Sequence, residues 1–168
     1  DVIPQALVYL GYDDSSKNPD ELDEAEDLLH EARPYIKKFT SSTLLNDLAN
    51  GDVCIAMSWA GDYATAASRA REAGKDIDLR YFVPEEGGLL WVDIVVIPKD
   101  TKNLENAYLL LDYLLRPEVS ADFVNLTHYA SPVPEAKAFI KEEVLNDTAV
   151  YPTPEIMDRL FFTEVDPP

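Results

Sequence analysis

Gly87-Gly88-Leu89-Leu90-Trp91-Val92-Asp93-Ile94-Val95-Val96-Ile97-Pro98 is the stretch on which the fold turns. It reads as a buried strand: a continuous apolar run, rich in β-branched residues, opened by a glycine pair and closed by proline. One carboxylate, Asp93, stands in its middle. A buried carboxylate without a partner is costly, so a counter-charge or a wet cleft is expected beside it. Trp91 lies two residues earlier and shares a strand face with Asp93, because strand side chains alternate. An aromatic face and a carboxylate on one wall suit a cation with an apolar body. The competing reading is a strand end where Asp93 meets water and Trp91 only packs. These residues alone leave both readings open.

Outward from this run, helices and short strands are expected by turns. Val2 to Leu10 reads as a helix stopped at Gly11, and Asn18-Pro19 as the cap and first position of a second. Leu22, Ala25, Leu28, Leu29 and Ala32 form that helix's apolar stripe, ended by Pro34, with His30 on the polar side. Tyr35 to Thr40 is a short strand. A helix from Thr43 to Ala49 follows, with Ser41 or Ser42 as its cap. Val53 to Ser58 is a buried strand that runs through Trp59-Ala60-Gly61-Asp62 into a helix ending near Ala73. A strand, a tight turn and a helix start make a natural ligand edge in an open α/β sheet. Asp62 also suits that helix's N-cap or first turn, where the dipole favours an acid. Asp78 to Val83 is another strand. Further helices are expected over Asn103–Leu115, from Pro117 to about Leu126, over Glu135–Leu145 and around Glu155–Phe161.

The 168 residues allow one ordinary domain or two small lobes, and a hydrophobic content of 46% allows a real core. The formal net charge of −18 argues against nucleic acid as a partner and favours attraction of cations. Cys54 is the single cysteine, so no intrachain disulfide can form, and its apolar neighbours mark it as a small buried residue. No run is long enough to span a membrane. The abrupt ends, Asp1-Val2 and Asp166-Pro167-Pro168, read as those of a piece of a longer chain.

Much chemistry has no sequence support. Gly87-Gly88 precedes a strand, whereas a nucleotide loop precedes a helix. The two histidines lack a second ligand pattern, so no zinc or other metal site is expected, and no cofactor either. Met57-Ser58-Trp59 is not a nucleophile elbow. Asp62 and Asp93 form the one acid pair that hydrolytic chemistry on glycosides could use.

A larger pattern runs through Asn46-Asp47-Leu48-Ala49-Asn50-Gly51-Asp52, Trp59-Ala60-Gly61-Asp62, Pro84-Glu85-Glu86-Gly87-Gly88 and Trp91-Val92-Asp93. It continues through Asn103 to Ala107, Tyr113-Leu114-Leu115-Arg116-Pro117-Glu118-Val119, Tyr129 and Tyr151-Pro152. In this order the chain resembles the periplasmic polyamine-binding proteins of ABC importers, the putrescine and spermidine receptors. The resemblance implies an α/β, two-lobe periplasmic binding protein fold (type II-like), here without its N-terminal half. It places 1–73 in the second lobe, 79–131 in the first and 137–168 back in the second, with hinge crossings at 74–78 and 132–136. It implies a periplasmic location, a polyamine ligand, an inner-membrane ABC permease as partner, a monomeric full-length parent and no catalysis.

By the same resemblance, Trp59 stacks on the polyamine's methylene chain and Asp62 reaches a terminal amine. Trp91 is an aromatic wall, Asp93 the principal carboxylate for an ammonium group, Tyr129 a further aromatic wall and Ser41 a cleft-side hydrogen-bonding serine. The acid in Trp-Ala-Gly-Asp resembles the putrescine-type branch more than the spermidine receptor. Two alternatives stand beside this reading: a same-fold binding protein for another cationic solute, and an acid-pair hydrolase. Since the family's first half also supplies cleft residues, this chain alone is expected to bind polyamine much more weakly than its parent. Side-by-side calorimetry checks this, and equal affinities would refute it.

Overall fold

The glycine pair does open a strand, but a short one. The computed structural model describes residues 2–163. In it β1 (Gly88–Leu89) pairs in parallel with β2 (Leu160–Phe161), Gly88 opposite Leu160 and Leu89 opposite Phe161. Gly87 stands at φ +124°, and a Cβ there would lie 2.5 Å from the Arg159 carbonyl oxygen. Glycine is therefore what lets the chain enter the ladder so close to its partner strand. The Leu90 N–H still donates to the Phe161 carbonyl at 2.8 Å. Beyond it the chain has no strand, and Trp91, Val92, Ile94, Val95 and Val96 are exposed. The expected buried strand is thus confined to its first residues. An apolar β-branched run becomes a strand only where a neighbouring strand takes up its backbone hydrogen bonds.

The described residues fall into two compact units. One is built from the chain up to Ser41, from Phe82–Val92 and from Thr153 onward; the other from Ser42–Tyr81 and Asp93–Pro152.

In the first unit, α1 (Val2–Tyr9) packs on α2 (Pro19–Ala32). Asn18 caps α2, its side chain accepting the Asp20 N–H at 3.1 Å, and Pro19 takes the first position. Leu7 is 1% exposed and is buried with Ala6 and Ala25 under Leu10, Leu22, Leu28 and Leu29, the stripe read from the sequence. Tyr12 joins this cluster and donates its hydroxyl to Glu24 at 2.7 Å. The expected strand over Tyr35–Thr40 is replaced by a 3-10 turn at Arg33–Tyr35 and irregular chain. There the Arg33 guanidinium lies 5.2 Å from the Phe39 ring centre.

In the second unit come α3 (Leu44–Asn50), α4 (Ala60–Glu72), α5 (Leu104–Leu114), α6 (Pro117–Thr127), a 3-10 turn at Pro134–Ala138 and α7 (Glu142–Leu145). The single helix expected over Glu135–Leu145 is therefore two short pieces. The core of this unit gathers Ala121, Val124, Ala136, Ile140, Val144 and Val150. Helix α5 carries its apolar stripe but buries no residue. Val53–Ser58 and Asp78–Val83, both expected as strands, are irregular, and Cys54 is exposed instead of buried. The first unit closes with α8 (Pro154–Met157), ahead of β2. Among the described residues no helix is long and apolar enough to cross a membrane.

Because Leu7 is fully enclosed by the α1–α2 cluster, Leu7→Ala is expected to cost about 2–5 kcal/mol in that cluster. Native-state hydrogen exchange should show faster exchange of α1 and α2 amides. Unchanged rates would mean that the cluster is not what holds these helices.

Candidate functional site

Helix α4 begins where extended chain turns at Trp59, whose φ of −84° and ψ of 153° put it in the cap position. Asp62 is thus in the first turn, not at the cap, and its carboxylate sits where the helix dipole favours negative charge. Its N–H reaches the Trp59 carbonyl at 3.1 Å. Between them Gly61 is buried.

Helix α6 ends at His128, in the left-handed conformation with φ 56°, its N–H donating to the Val124 carbonyl at 2.8 Å. Thr127 fastens the same turn, its hydroxyl donating to the Phe123 carbonyl at 2.8 Å. The chain then delivers Tyr129 onto α4. A Cβ added at Gly61 would lie 2.3 Å from Cε2 and 2.5 Å from Cζ of Tyr129, and 2.6 Å from the Thr127 carbonyl oxygen. The Tyr129 ring and the turn before it therefore rest directly on the glycine backbone.

The electrostatics show what surrounds that ring. The Tyr129 phenol is held above its ordinary value, first by burial, then by the negative charges of Asp62 and Asp93 and by Tyr81. A backbone hydrogen bond from Asp62 opposes the rise. Tyr81 is also raised, by burial, and its ring lies 6.0 Å from that of Tyr63 at a tilt of 33°. Tyr63 is raised by burial and then by Asp147, against the lowering effect of Arg71.

The second unit thus brings together three of the residues expected from the sequence: Asp62, Asp93 and Tyr129. Trp59 stands in the same unit, beside the first turn of α4 and 38% exposed. Trp91 and Ser41 belong to the other unit. There Trp91 lines a shallow hollow of about 170 Å³ with Leu90, Val92, Phe162 and Thr163. Ser41 is exposed in a bend. Neither Ser41 nor Ser42 caps α3; Thr43 holds the cap position and gives its hydroxyl to Asp47 Oδ2 at 2.8 Å. Asp93 is exposed, so the cost of burying it does not apply here, and water reaches its carboxylate.

Sequence reasoning missed two participants. Gly61 was legible only as part of Trp59-Ala60-Gly61-Asp62, since nothing in a sequence marks a glycine as the seat of a ring far along the chain. Tyr81 was counted among strand residues, although its place at the edge of an acidic, aromatic neighbourhood is what matters. Chemically, two carboxylates beside a phenol suit an ammonium group, and an exposed indole suits the apolar part of the same ligand. Among the described residues, no three His, Cys, Asp or Glu side chains gather as a metal site would require.

The sequence pattern of the bacterial extracellular solute-binding proteins matches residues 1–153. The chain belongs to the bacterial extracellular solute-binding protein family. Among individual members of that family, it is 38% identical over 161 residues to the putrescine-binding periplasmic protein SpuD of Pseudomonas aeruginosa, covering 96% of this chain and 44% of that protein. It is 39% identical over 169 residues to the putrescine-binding periplasmic protein PotF of Escherichia coli K12, covering 100% of this chain and 46% of that one. Its fold is similar to the crystal structure of the spermidine/putrescine ABC transporter substrate-binding protein PotD of Streptococcus pneumoniae. There the TM-score is 0.84 at 31% identity, over 99% of this chain and 50% of that chain. This solute-binding protein chain therefore spans about half the length of the relatives it matches.

The raised phenols set a pH dependence. A group whose pKa is higher in the folded state stabilises the fold fully below the ordinary phenol range, and that contribution is lost as pH rises through the folded value. Tyr129, Tyr63 and Tyr81 all shift in this direction, so stability should fall as pH rises past about 10. Urea titrations across that range should show a shallower fall in Tyr129→Phe. An identical slope in the two proteins would contradict the placement of this phenol beside two acids.

Proposed function

We propose that the complete protein carrying this chain is a periplasmic solute receptor that captures a polyamine and delivers it to an inner-membrane ABC permease. The observation that carries the proposal is that Asp62, Asp93 and Tyr129 share one unit, where the charges of both acids are felt by the Tyr129 phenol. A polyamine at neutral pH is a string of ammonium groups joined by methylenes. Carboxylates neutralise the ammonium ends through charge-assisted hydrogen bonds. Aromatic faces cover the methylenes and add cation–π attraction of about 0.5–2 kcal/mol each.

In this reading Asp93 is the principal carboxylate and Asp62 serves a second amine. Trp59, Trp91 and Tyr129 supply aromatic contact, and Ser41 a hydrogen bond. The net charge of −18 steers a cation toward the protein. The lobe assignment belongs to the same proposal, with hinge crossings at 74–78 and 132–136 and closure favoured by a ligand that binds the closed state better. The receptor is monomeric and does no chemistry on its cargo. Putrescine is the favoured cargo over spermidine. The acid in Trp59-Ala60-Gly61-Asp62 supports that choice, as does the likeness to the putrescine-binding proteins SpuD and PotF.

Isothermal titration of the complete protein with putrescine and with spermidine tests the proposal, and tight binding of either is the expected result. Truncating a hydrogen-bonded charge partner typically costs about 2–5 kcal/mol, so Asp93→Asn should weaken putrescine by about 30-fold or more. An unchanged affinity in that variant would redirect the assignment to another cationic solute.

A further inference from the structure

We propose that Gly61 is a positioning residue: its bare backbone seats the Tyr129 ring and so fixes the phenol at the start of α4, next to Asp62. The inference depends on the polyamine reading for its ligand and extends it to a residue that touches no ligand.

Gly61 is not required by backbone conformation, since it lies inside the first turn of α4 and not at a positive φ. What it supplies is space. The nearest obstacles to a Cβ are the Tyr129 ring at 2.3 and 2.5 Å and the Thr127 carbonyl oxygen at 2.6 Å. Contacts that short cannot be absorbed by the ring alone, because one of them is main chain. A methyl group at this position would push the whole turn at Thr127–Tyr129 away from α4. The turn has little freedom to yield. His128 holds a left-handed conformation that few non-glycine residues adopt, and the Thr127 hydroxyl is tied to the Phe123 carbonyl. Displacement would therefore carry the Tyr129 ring away from the start of α4 and from Asp62, whose backbone bonds the phenol. Asp62, one residue along the same turn of helix, would lose the phenol beside it. A site for a short diamine depends on the spacing of its charged and aromatic groups, and relieving a 2.3 Å contact to ordinary van der Waals distance takes more than the roughly 0.5 Å tolerance of such constellations.

The test uses the complete protein with 13C at tyrosine Cζ, as the parent and as Gly61→Ala, Tyr129→Ala and the double variant. In Gly61→Ala the Tyr129 phenol should titrate nearer its ordinary value, and putrescine affinity should fall about tenfold or more. On the Tyr129→Ala background, the same glycine substitution should change affinity by no more than about twofold, because its effect acts through the ring. Parental titration and affinity in Gly61→Ala would overturn the proposal, as would a tenfold loss that persists without the ring. A further measurement needs no substitution at Gly61. In the parent, the Gly61 α-protons should carry a ring-current shift that disappears in Tyr129→Ala, and an unmoved signal would overturn the contact even if Gly61→Ala fails to fold. A parent that binds no putrescine removes the polyamine reading instead, and the seat then stands or falls on ring current and titration.

Discussion

The first turn of α4 and the turn that follows α6 meet with no room for a methyl group between them. Most of what the second unit offers a ligand depends on that close approach. It places a tyrosine ring on a helix start and puts the phenol beside the carboxylate that the helix dipole already favours. It also joins two stretches of chain separated by α5 and much of the acidic sequence. Tyr129 is 40% exposed, so it is the face of its ring on Gly61, together with the Thr127 carbonyl, that holds it at the helix start.

In the second unit, burial first and then the negative charges of Asp62 and Asp93 act on the Tyr129 phenol. Burial, and after it the two acids, hold the phenol's proton more tightly, which favours the neutral hydroxyl. The Trp59 indole is exposed at the start of the same helix, and Asp93 is exposed as well. The chain's acidity acts at longer range, raising the local concentration of cations in a way that salt would screen.

The parts of the fold legible in the sequence were those decided locally. Asn18-Pro19 caps α2 as expected, and the stripe of Leu22, Ala25, Leu28 and Leu29 meets α1 because helical periodicity needs only its own segment to be read. Trp59-Ala60-Gly61-Asp62 opens α4 for the same reason. The strands were not legible, since Val53–Ser58, Asp78–Val83 and Ile94–Ile97 have strand composition but gain no ladder here. Only Gly88–Leu89 finds a partner, and that partner is near the far end of the described chain. Of the candidate site, Asp62, Asp93 and Tyr129 were named through family resemblance, and the structure groups them. The glycine beneath the ring was invisible because its role is an absence of atoms at a contact between distant residues.

The account is tested most directly by a crystal structure of the complete protein grown with putrescine. It predicts one ammonium group within hydrogen-bonding distance of Asp93, the other served by Asp62 directly or through water, and the Tyr129 ring beside the ligand and still seated on Gly61. Putrescine bound elsewhere, with both carboxylates out of reach, would contradict it.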